Sequence, residues 1–169
     1  MLRRFCLSLP FALVACPSNS VELVLPIEGL TANDLRDTFQ EPRRGGQHDA
    51  IDIAAPRGTP VRAVVNGSIR KLFLSKPGGL TIYLFDESRQ YCYYYAHLEA
   101  YEQGLREGAK VNSGEVIGYV GSTGNADPRV PHLHLAMVEL GPAKEWWKGK
   151  PLNPYPLLAR AVERSTQIE

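Results

Sequence analysis

The sequence predicts an all-β domain built mainly of antiparallel strands. Short apolar segments rich in β-branched and aromatic residues recur between residues 51 and 137, and turn sequences separate them. Glycine and proline are frequent and scattered, with 15 and 13 residues respectively. No helical period continues for more than two turns before the C-terminal region. The length of 169 residues allows one domain with a proper core.

Residues 1–15 are predicted to be a signal segment that is not part of the fold. Arg3 and Arg4 give this segment a basic start. The apolar stretch at 5–15 has the length of a signal h-region and is too short to span a bilayer.

The end of this segment predicts lipidation. The sequence LVAC at 13–16 resembles the bacterial lipoprotein signal, in which cleavage before the cysteine is followed by attachment of a diacylglycerol. Ordinary signal cleavage wants small residues at −1 and −3, and Leu13 fits that poorly. A plain secreted protein and an uncleaved N-terminal anchor are the alternatives. We expect a lipoprotein of the bacterial cell envelope, attached to a membrane through Cys16.

The rest of the chain divides into a tether at 16–24, one domain at 25–158 and a tail at 159–169. Thr31, followed by Asp34, predicts a capped helical turn near the start of the domain.

A flexible loop is predicted at 43–46, before His48. Arg43 and Arg44 in this loop are interpreted as solvated residues. Binding of a substrate carboxylate is the alternative, because arginine is the usual carboxylate clamp.

The predicted strands follow at short intervals. Asn66-Gly67 is a strong hairpin signal between strands at 60–65 and 68–74. The other predicted strands are 51–54, 80–85, 91–98, 111–113, 116–120 and a strand that begins at 132. A short terminal helix is predicted at 157–169. Trp146 and Trp147 are expected to pack over the sheet rather than to form a ligand site.

Charge and cysteine content limit the classes of function. The net charge is +1 with mixed signs, and nucleic-acid binding would want a basic stripe. Of the three cysteines, Cys6 would leave with the signal and Cys16 would carry lipid. Only Cys92 remains, so no intramolecular disulfide is expected. Strand alternation places Cys92 away from His97, and we interpret it as a small buried hydrophobe.

The sequence PHLH at 131–134 contains two of the four histidines. In a strand, residues i and i+2 point to the same face, so His132 and His134 would project into one space. Leu133, Leu135 and Met137 would point into the core. A His-x-His strand is a common way to aim two imidazoles at one metal or one water, although chance alone explains many such pairs.

His48 and Asp52 are four residues apart, and an even spacing puts both on one side of a strand. By itself the pair is equally well a loop histidine near a turn aspartate. Together with His134 it becomes a ligand set for a catalytic zinc, because such sites use three protein ligands and leave one position for water. A structural zinc site more often recruits four side chains, commonly thiolates.

His97 and His132 remain as candidates for proton transfer, because histidine titrates in the range that hydrolysis needs. Alternation places His97 on one face with Tyr91, Tyr93 and Tyr95. The usual His-Glu-x-x-His helix of zinc proteases is missing from the sequence, so the general base would be a histidine. The alternative is that His97 is a histidine packed beside the tyrosines.

Four separated motifs resemble the zinc endopeptidases of the lysostaphin type, peptidase family M23 (the LytM domain). They are HDAIDIAAPRGTPV at 48–61, YAHL at 95–98, GYVGSTG at 118–124 and PHLH at 131–134. The resemblance implies a two-layer, mostly antiparallel β fold with a central groove, and the stem or cross-link peptides of bacterial peptidoglycan as substrate.

Residue by residue, the resemblance implies zinc ligands at His48, Asp52 and His134 and catalytic histidines at His97 and His132. Some relatives have lost ligands and act only as activators of cell-wall amidases. A non-catalytic cell-wall binding protein or amidase activator is therefore the main alternative to an endopeptidase, and a metal-binding lipoprotein without hydrolase activity is the third reading.

Two positions depart from the family pattern. Ala50 replaces a usual glycine, which is tolerated only if its φ is negative. Leu135 replaces a common phenylalanine, which should alter packing and leave the chemistry unchanged.

Overall fold

A computed structural model describes residues 21–43 and 46–167. The described residues form eleven strands, one 3₁₀ turn and one α-helix. The strands are β1 (Pro42–Arg43), β2 (Gly46–Gln47), β3 (Ile51–Ala54), β4 (Pro60–Arg62), β5 (Gly67–Ser75), β6 (Gly79–Asp86), β7 (Tyr91–Tyr101), β8 (Lys110–Val111), β9 (Val116–Val120), β10 (His132–Leu140) and β11 (Gly149–Leu152). The helix α1 is Tyr155–Thr166. The predicted mostly antiparallel β fold with a short C-terminal helix is confirmed.

The long strand β7 organises the main nine-stranded sheet. One of its edges pairs with β6, while the other pairs first with β10 and then with β9. Strand β10 in turn carries β3 and β11 on its far edge. All of these pairs are antiparallel. The sheet therefore places β3, β10 and β7 side by side, and these are the strands on which most of the predicted site residues lie.

The core follows from strand alternation. Leu133, Leu135 and Met137 are at most 2% exposed, as the two-residue period of β10 predicts. Ile51 and Ile53 on β3 are fully buried on the same side. The alternate residues of these two strands consequently face the opposite surface, where the histidines lie.

The core extends beyond the predicted limits of the domain at 25–158. Leu23 is only 1% exposed and belongs to the main core cluster. Helix α1 begins earlier than predicted, at Tyr155, and Val162 also lies in this cluster. Arg164 Nη2 donates a 2.7 Å hydrogen bond to the Leu23 carbonyl and ties the helix to the N-terminal segment. No helix among the described residues is both long and apolar enough to cross a bilayer.

The predicted hairpin at Asn66-Gly67 is wrong, because β4 pairs with β9 and β5 pairs with β6 and β8. Asn66 Oδ1 instead accepts a 2.8 Å hydrogen bond from the Ser113 backbone N–H. Gly67 has no positive φ. A Cβ there would lie 2.1 Å from the Phe85 carbonyl oxygen, so this glycine permits close approach between strands.

The predictions of Trp146 as a packing residue and of Cys92 as a small buried hydrophobe are confirmed, and the prediction for Trp147 is not. Trp146 packs on Tyr83 and Phe73, with ring centroids 4.6 and 5.6 Å away, whereas Trp147 is 62% exposed. Trp146 is therefore the tryptophan that covers the sheet. Cys92 is a buried free thiol, and burial raises its pKa to about 12.

The capped turn near the domain start is confirmed. Asp34 Oδ2 accepts a 2.8 Å hydrogen bond from the Thr31 backbone N–H ahead of the 3₁₀ turn Ala32–Asp34. At the predicted flexible loop, Arg43 and Gly46 pair as the ends of two short strands, while residues 44 and 45 lie outside the described residues.

The signal segment, Cys16 and Arg44 lie outside the described residues. Their assignments stay predictions.

Candidate metal centre

Three of the predicted residues converge at the ends of β3 and β10. The Nε2 atom of His48 lies 3.2 Å from Asp52 Oδ1 and 3.1 Å from His134 Nδ1. Asp52 Oδ1 lies 3.0 Å from His134 Nδ1. This trio forms a group that can hold a metal ion.

The register of the strands explains the convergence. Asp52 on β3 stands opposite His134 on β10 in the antiparallel pairing, so both side chains leave the same face of the sheet. His48 precedes β3, so the even spacing to Asp52 does not act within one strand as the sequence argument assumed. Asp49, between the two residues, has a left-handed φ of 55°. Ala50 has no positive φ, so alanine is tolerated where the family usually has glycine.

The donor set fits zinc. Two tetrahedral donors at roughly 2.0 Å from one zinc ion lie about 3.3 Å apart, and the three separations here are slightly shorter than that. Two neutral imidazoles and one carboxylate are also the donor types that open zinc sites use.

His48 and Asp52 are held by a second set of contacts through Thr38. The Nδ1 of His48 lies 3.0 Å from the Thr38 carbonyl oxygen. Because a carbonyl can only accept, Nδ1 carries the proton and Nε2 presents its lone pair to the cluster. The Thr38 hydroxyl accepts a 3.2 Å hydrogen bond from the backbone N–H of Asp52. The sequence held no signal for the role of Thr38.

The prediction that His97 shares a face with Tyr93 and Tyr95 is wrong. Both tyrosines are fully buried in the main core, whereas the His97 ring lies 5.6 Å from that of His134. Two features of β7 redirect it. His97 has a left-handed φ of 61°, and a bulge adds one residue to β7 at this point of its pairing with β6. Side-chain parity is reversed from His97 onward, and Leu98 enters the core instead.

The loop after β9 fixes the orientation of His97. Its Nδ1 donates a 2.8 Å hydrogen bond to the Thr123 carbonyl, so Nε2 carries the lone pair. The Thr123 hydroxyl donates to the Leu98 carbonyl at 2.7 Å and accepts from the Leu80 N–H at 3.0 Å. Gly79 has a positive φ of 64°, and a Cβ there would lie 2.1 Å from the Thr123 hydroxyl oxygen. Thr123 lies in a motif that the sequence analysis singled out, although without a role.

His132 completes the arrangement beside His97. Its Nδ1 donates a 2.9 Å hydrogen bond to the Val130 carbonyl, and its Nε2 lies 3.9 Å from Asp52 Oδ1. The rings of His97 and His132 are 4.9 Å apart. The structure therefore brings all five predicted site residues into one place, with the His97 and His132 rings beside the three-atom cluster.

Burial and neighbouring groups shift the pKa values at this site. Burial lowers the pKa of His48 and of His97, while Asp52 partly opposes the shift at His48 and the Thr123 carbonyl opposes it at His97. Burial alone would raise the pKa of Asp52, but the hydrogen bond with His134 and the nearby imidazoles outweigh it, and the net shift is downward. Near neutral pH, His97 is therefore a free base and Asp52 is ionised.

Arg43 lies at the rim of the same cavity, which has a volume of about 470 Å³. Its Nη2 lies 2.9 Å from Asp52 Oδ2, the carboxylate oxygen that faces away from His134. The same nitrogen lies 3.1 Å from Glu41 Oε2. Asn125 and Asp127 line another part of the wall. Arg43 thus contacts the second oxygen of the Asp52 carboxylate.

In this antiparallel β domain, two imidazoles and a carboxylate converge, and two further imidazoles lie beside them. This is the arrangement of a metallohydrolase site. A family model described as "Peptidase family M23" matches residues 46–154. The chain belongs to this family.

Relatives and solved structures agree with this assignment. The chain is 34% identical over 151 residues to the L-Ala–D-Glu endopeptidase of Bacillus subtilis, covering 85% of this chain and 44% of that protein. It is 41% identical over 108 residues to the DD-carboxypeptidase/endopeptidase Mpg of Neisseria meningitidis, covering 63% of this chain and 22% of that protein. The chain therefore spans less than half the length of these relatives.

A solved structure of similar fold is the catalytic domain of the antimicrobial peptidase lysostaphin from Staphylococcus simulans. The TM-score is 0.57 at 31% identity, and the match covers 67% of this chain and 80% of that chain.

Proposed function

We propose that this protein is a zinc-dependent endopeptidase that hydrolyses peptide bonds of bacterial peptidoglycan. The observation that carries the proposal is the convergence of His48 Nε2, Asp52 Oδ1 and His134 Nδ1 within 3.2 Å of one another, next to two further imidazoles. Family membership and the peptidase names of the relatives support the same activity.

In this proposal His48, Asp52 and His134 hold the metal ion. Zinc bound there would lower the pKa of water in contact with it and polarise a carbonyl group of the substrate. The Thr38 carbonyl fixes the His48 tautomer, and Arg43 engages the second Asp52 oxygen. These contacts orient the ligands before the ion arrives, and loss of such outer contacts typically weakens metal binding about 10–100-fold.

His97 and His132 are proposed to transfer protons. Each ring donates Nδ1–H to a backbone carbonyl, so each Nε2 can accept a proton from the attacking water. Amide hydrolysis also requires a proton on the leaving amine, and a protonated Nε2 can return it. The lowered pKa of His97 keeps this ring unprotonated at neutral pH, as a base requires.

An active enzyme is favoured over a non-catalytic activator because no part of the residue set is missing. A domain that only binds the cell wall would not need both the ligand cluster and two oriented free imidazoles. The proposal for the cellular location follows from the sequence: Cys16 carries lipid and attaches the domain to a membrane of the cell envelope.

The test uses the purified full chain, its zinc content and its action on purified peptidoglycan. We expect one zinc ion per chain and release of peptides whose masses identify the cut bond. A chelator should abolish cleavage, and added zinc should restore it.

Asp52→Ala tests the ligand assignment, since it removes one proposed ligand while the neighbouring strand residues Ile51 and Ile53 stay in the core. It should lose most of the metal and the cleavage together. Full zinc occupancy in Asp52→Ala would refute the ligand assignment. A zinc-loaded chain that leaves peptidoglycan intact would refute the enzymatic function and favour the activator.

A further inference from the structure

We propose that Arg43 binds a free carboxylate of the substrate next to the scissile amide. The preferred substrates would then be anionic stem peptides in which a residue flanking the cut bond carries a carboxylate. This inference rests on the proposed peptidase function and adds a substrate class to it.

The hydrogen-bonding capacity of Arg43 is only partly used. Both of its ionic contacts, to Glu41 Oε2 and Asp52 Oδ2, involve the single nitrogen Nη2. Its Nε and Nη1 donate no hydrogen bond to any described residue. Guanidinium carries five N–H donors in a planar fork that matches a carboxylate, and the Arg43 side chain is 46% exposed. A carboxylate from solvent therefore finds free donors there.

Arg43 is also close enough to the reacting centre. It touches Asp52, whose other oxygen lies 3.0 Å from His134 Nδ1. An extended peptide advances by roughly 3.3–3.6 Å per residue. A carboxylate held by Arg43 would thus belong to a residue that flanks the scissile bond.

Among the charged groups of the cavity wall, Arg43 is the one that can bind an anion. Of the described residues that line the cavity, Arg43 alone is an arginine or lysine. Asp127 on the same wall is already neutralised, because the Arg129 side chain contacts both of its carboxylate oxygens at 3.1 and 2.7 Å. Arg43 is itself paired with Glu41 and Asp52, so it offers an incoming carboxylate the unused Nε–H and Nη1–H donors of its fork. Asp127 does not oppose that approach.

The bond named for one relative has the chemistry that this geometry requires. The L-Ala–D-Glu endopeptidase of Bacillus subtilis acts, by its name, on a bond to a glutamate residue, which carries a carboxylate. A bond between residues without ionised groups would offer Arg43 nothing to bind.

The experiment compares two synthetic peptides that span the bond cut in peptidoglycan. They differ only in the flanking carboxyl group, which is free in one peptide and a carboxamide in the other. Each is assayed with the zinc-loaded full chain, with Arg43→Gln, with Arg43→Lys and with Arg70→Gln. Zinc per chain is measured on every preparation.

We expect the unmodified chain to cleave the carboxylate peptide with a kcat/KM about 10- to 100-fold above that for the carboxamide, as for a hydrogen bond to a charged group. Per zinc-loaded chain, Arg43→Gln should remove this preference, because kcat/KM should fall about 10- to 100-fold more for the carboxylate peptide than for the carboxamide. Arg43→Lys should keep part of it, because lysine retains the charge without the fork. Arg70→Gln is the matched control, because Arg70 is an exposed arginine of β5 that does not line this cavity, and it should keep the full preference.

Three results would overturn the inference. The unmodified chain could cleave both peptides equally well. Arg43→Gln could lower both activities by the same factor, which would make Arg43 a residue that only positions Asp52. Arg70→Gln could abolish the preference. If the zinc-loaded chain cleaves neither peptide nor peptidoglycan, the proposed function itself fails, which is a different outcome from cleavage without preference.

Discussion

Replacing His97 tests the division between metal binding and proton transfer. His97 is 7% exposed, has a φ of 61° and donates one hydrogen bond to the Thr123 carbonyl. His97→Ala would leave that carbonyl without its partner, at a cost of about 1–3 kcal/mol. His97→Asn is the better variant, because asparagine adopts left-handed backbone readily and its amide can still donate.

Both variants should keep zinc and lose cleavage. Loss of a general acid–base group lowers the rate by about 10²–10⁴-fold. His97 touches none of the three ligand atoms through a hydrogen bond, so the metal should stay bound. His134→Ala should lose zinc and cleavage together. His132→Ala should resemble His97→Ala, with somewhat looser metal binding because His132 is next but one to His134.

The assay pairs elemental analysis for zinc with peptidoglycan cleavage on the same folded preparations. Chemical denaturation of each variant separates a loss of chemistry from a loss of stability. The division of roles is wrong if His97→Asn retains near wild-type cleavage, or if it loses zinc as completely as His134→Ala.

Three further predictions concern the scaffold. Cys92 has a thiol pKa of about 12, so its thiolate fraction at pH 8 is only about 10⁻⁴. Peptide mapping should therefore find Cys92 alkylated after unfolding and not before, and rapid labelling of the folded chain would contradict this. Gly67→Ala should lower the free energy of unfolding by about 1–3 kcal/mol, because its Cβ would lie 2.1 Å from a carbonyl oxygen of β6. Gly141 has open space around it, so Gly141→Ala should change the free energy of unfolding by less than about 0.5 kcal/mol. Thr38→Val removes the hydroxyl that accepts from the Asp52 N–H and should weaken zinc binding about 10–100-fold in competition with a chelator; unchanged affinity would show that the Thr38 backbone suffices.

The residue types and the local strand period were enough to predict much of the site. The two-residue period separates His132 and His134 from Leu133 and Leu135, and the structure has this separation. The choice of His48, Asp52 and His134 as a group followed from their chemistry and from the family resemblance. These inferences succeed because side-chain alternation is a property of each strand by itself.

The direction of His97 and the pairing of the Asn66-Gly67 segment were decided only by the tertiary structure. At His97, β7 has one residue more than β6 between their paired positions, and the Thr123 hydroxyl donates to the carbonyl of the next residue, Leu98. Gly67 favours a turn by local preference, yet long-range pairing with β6 and β8 uses it for close contact. Strand alternation needs only neighbouring residues, whereas register and bulges depend on partners distant in the sequence, and these partners determine where His97 points.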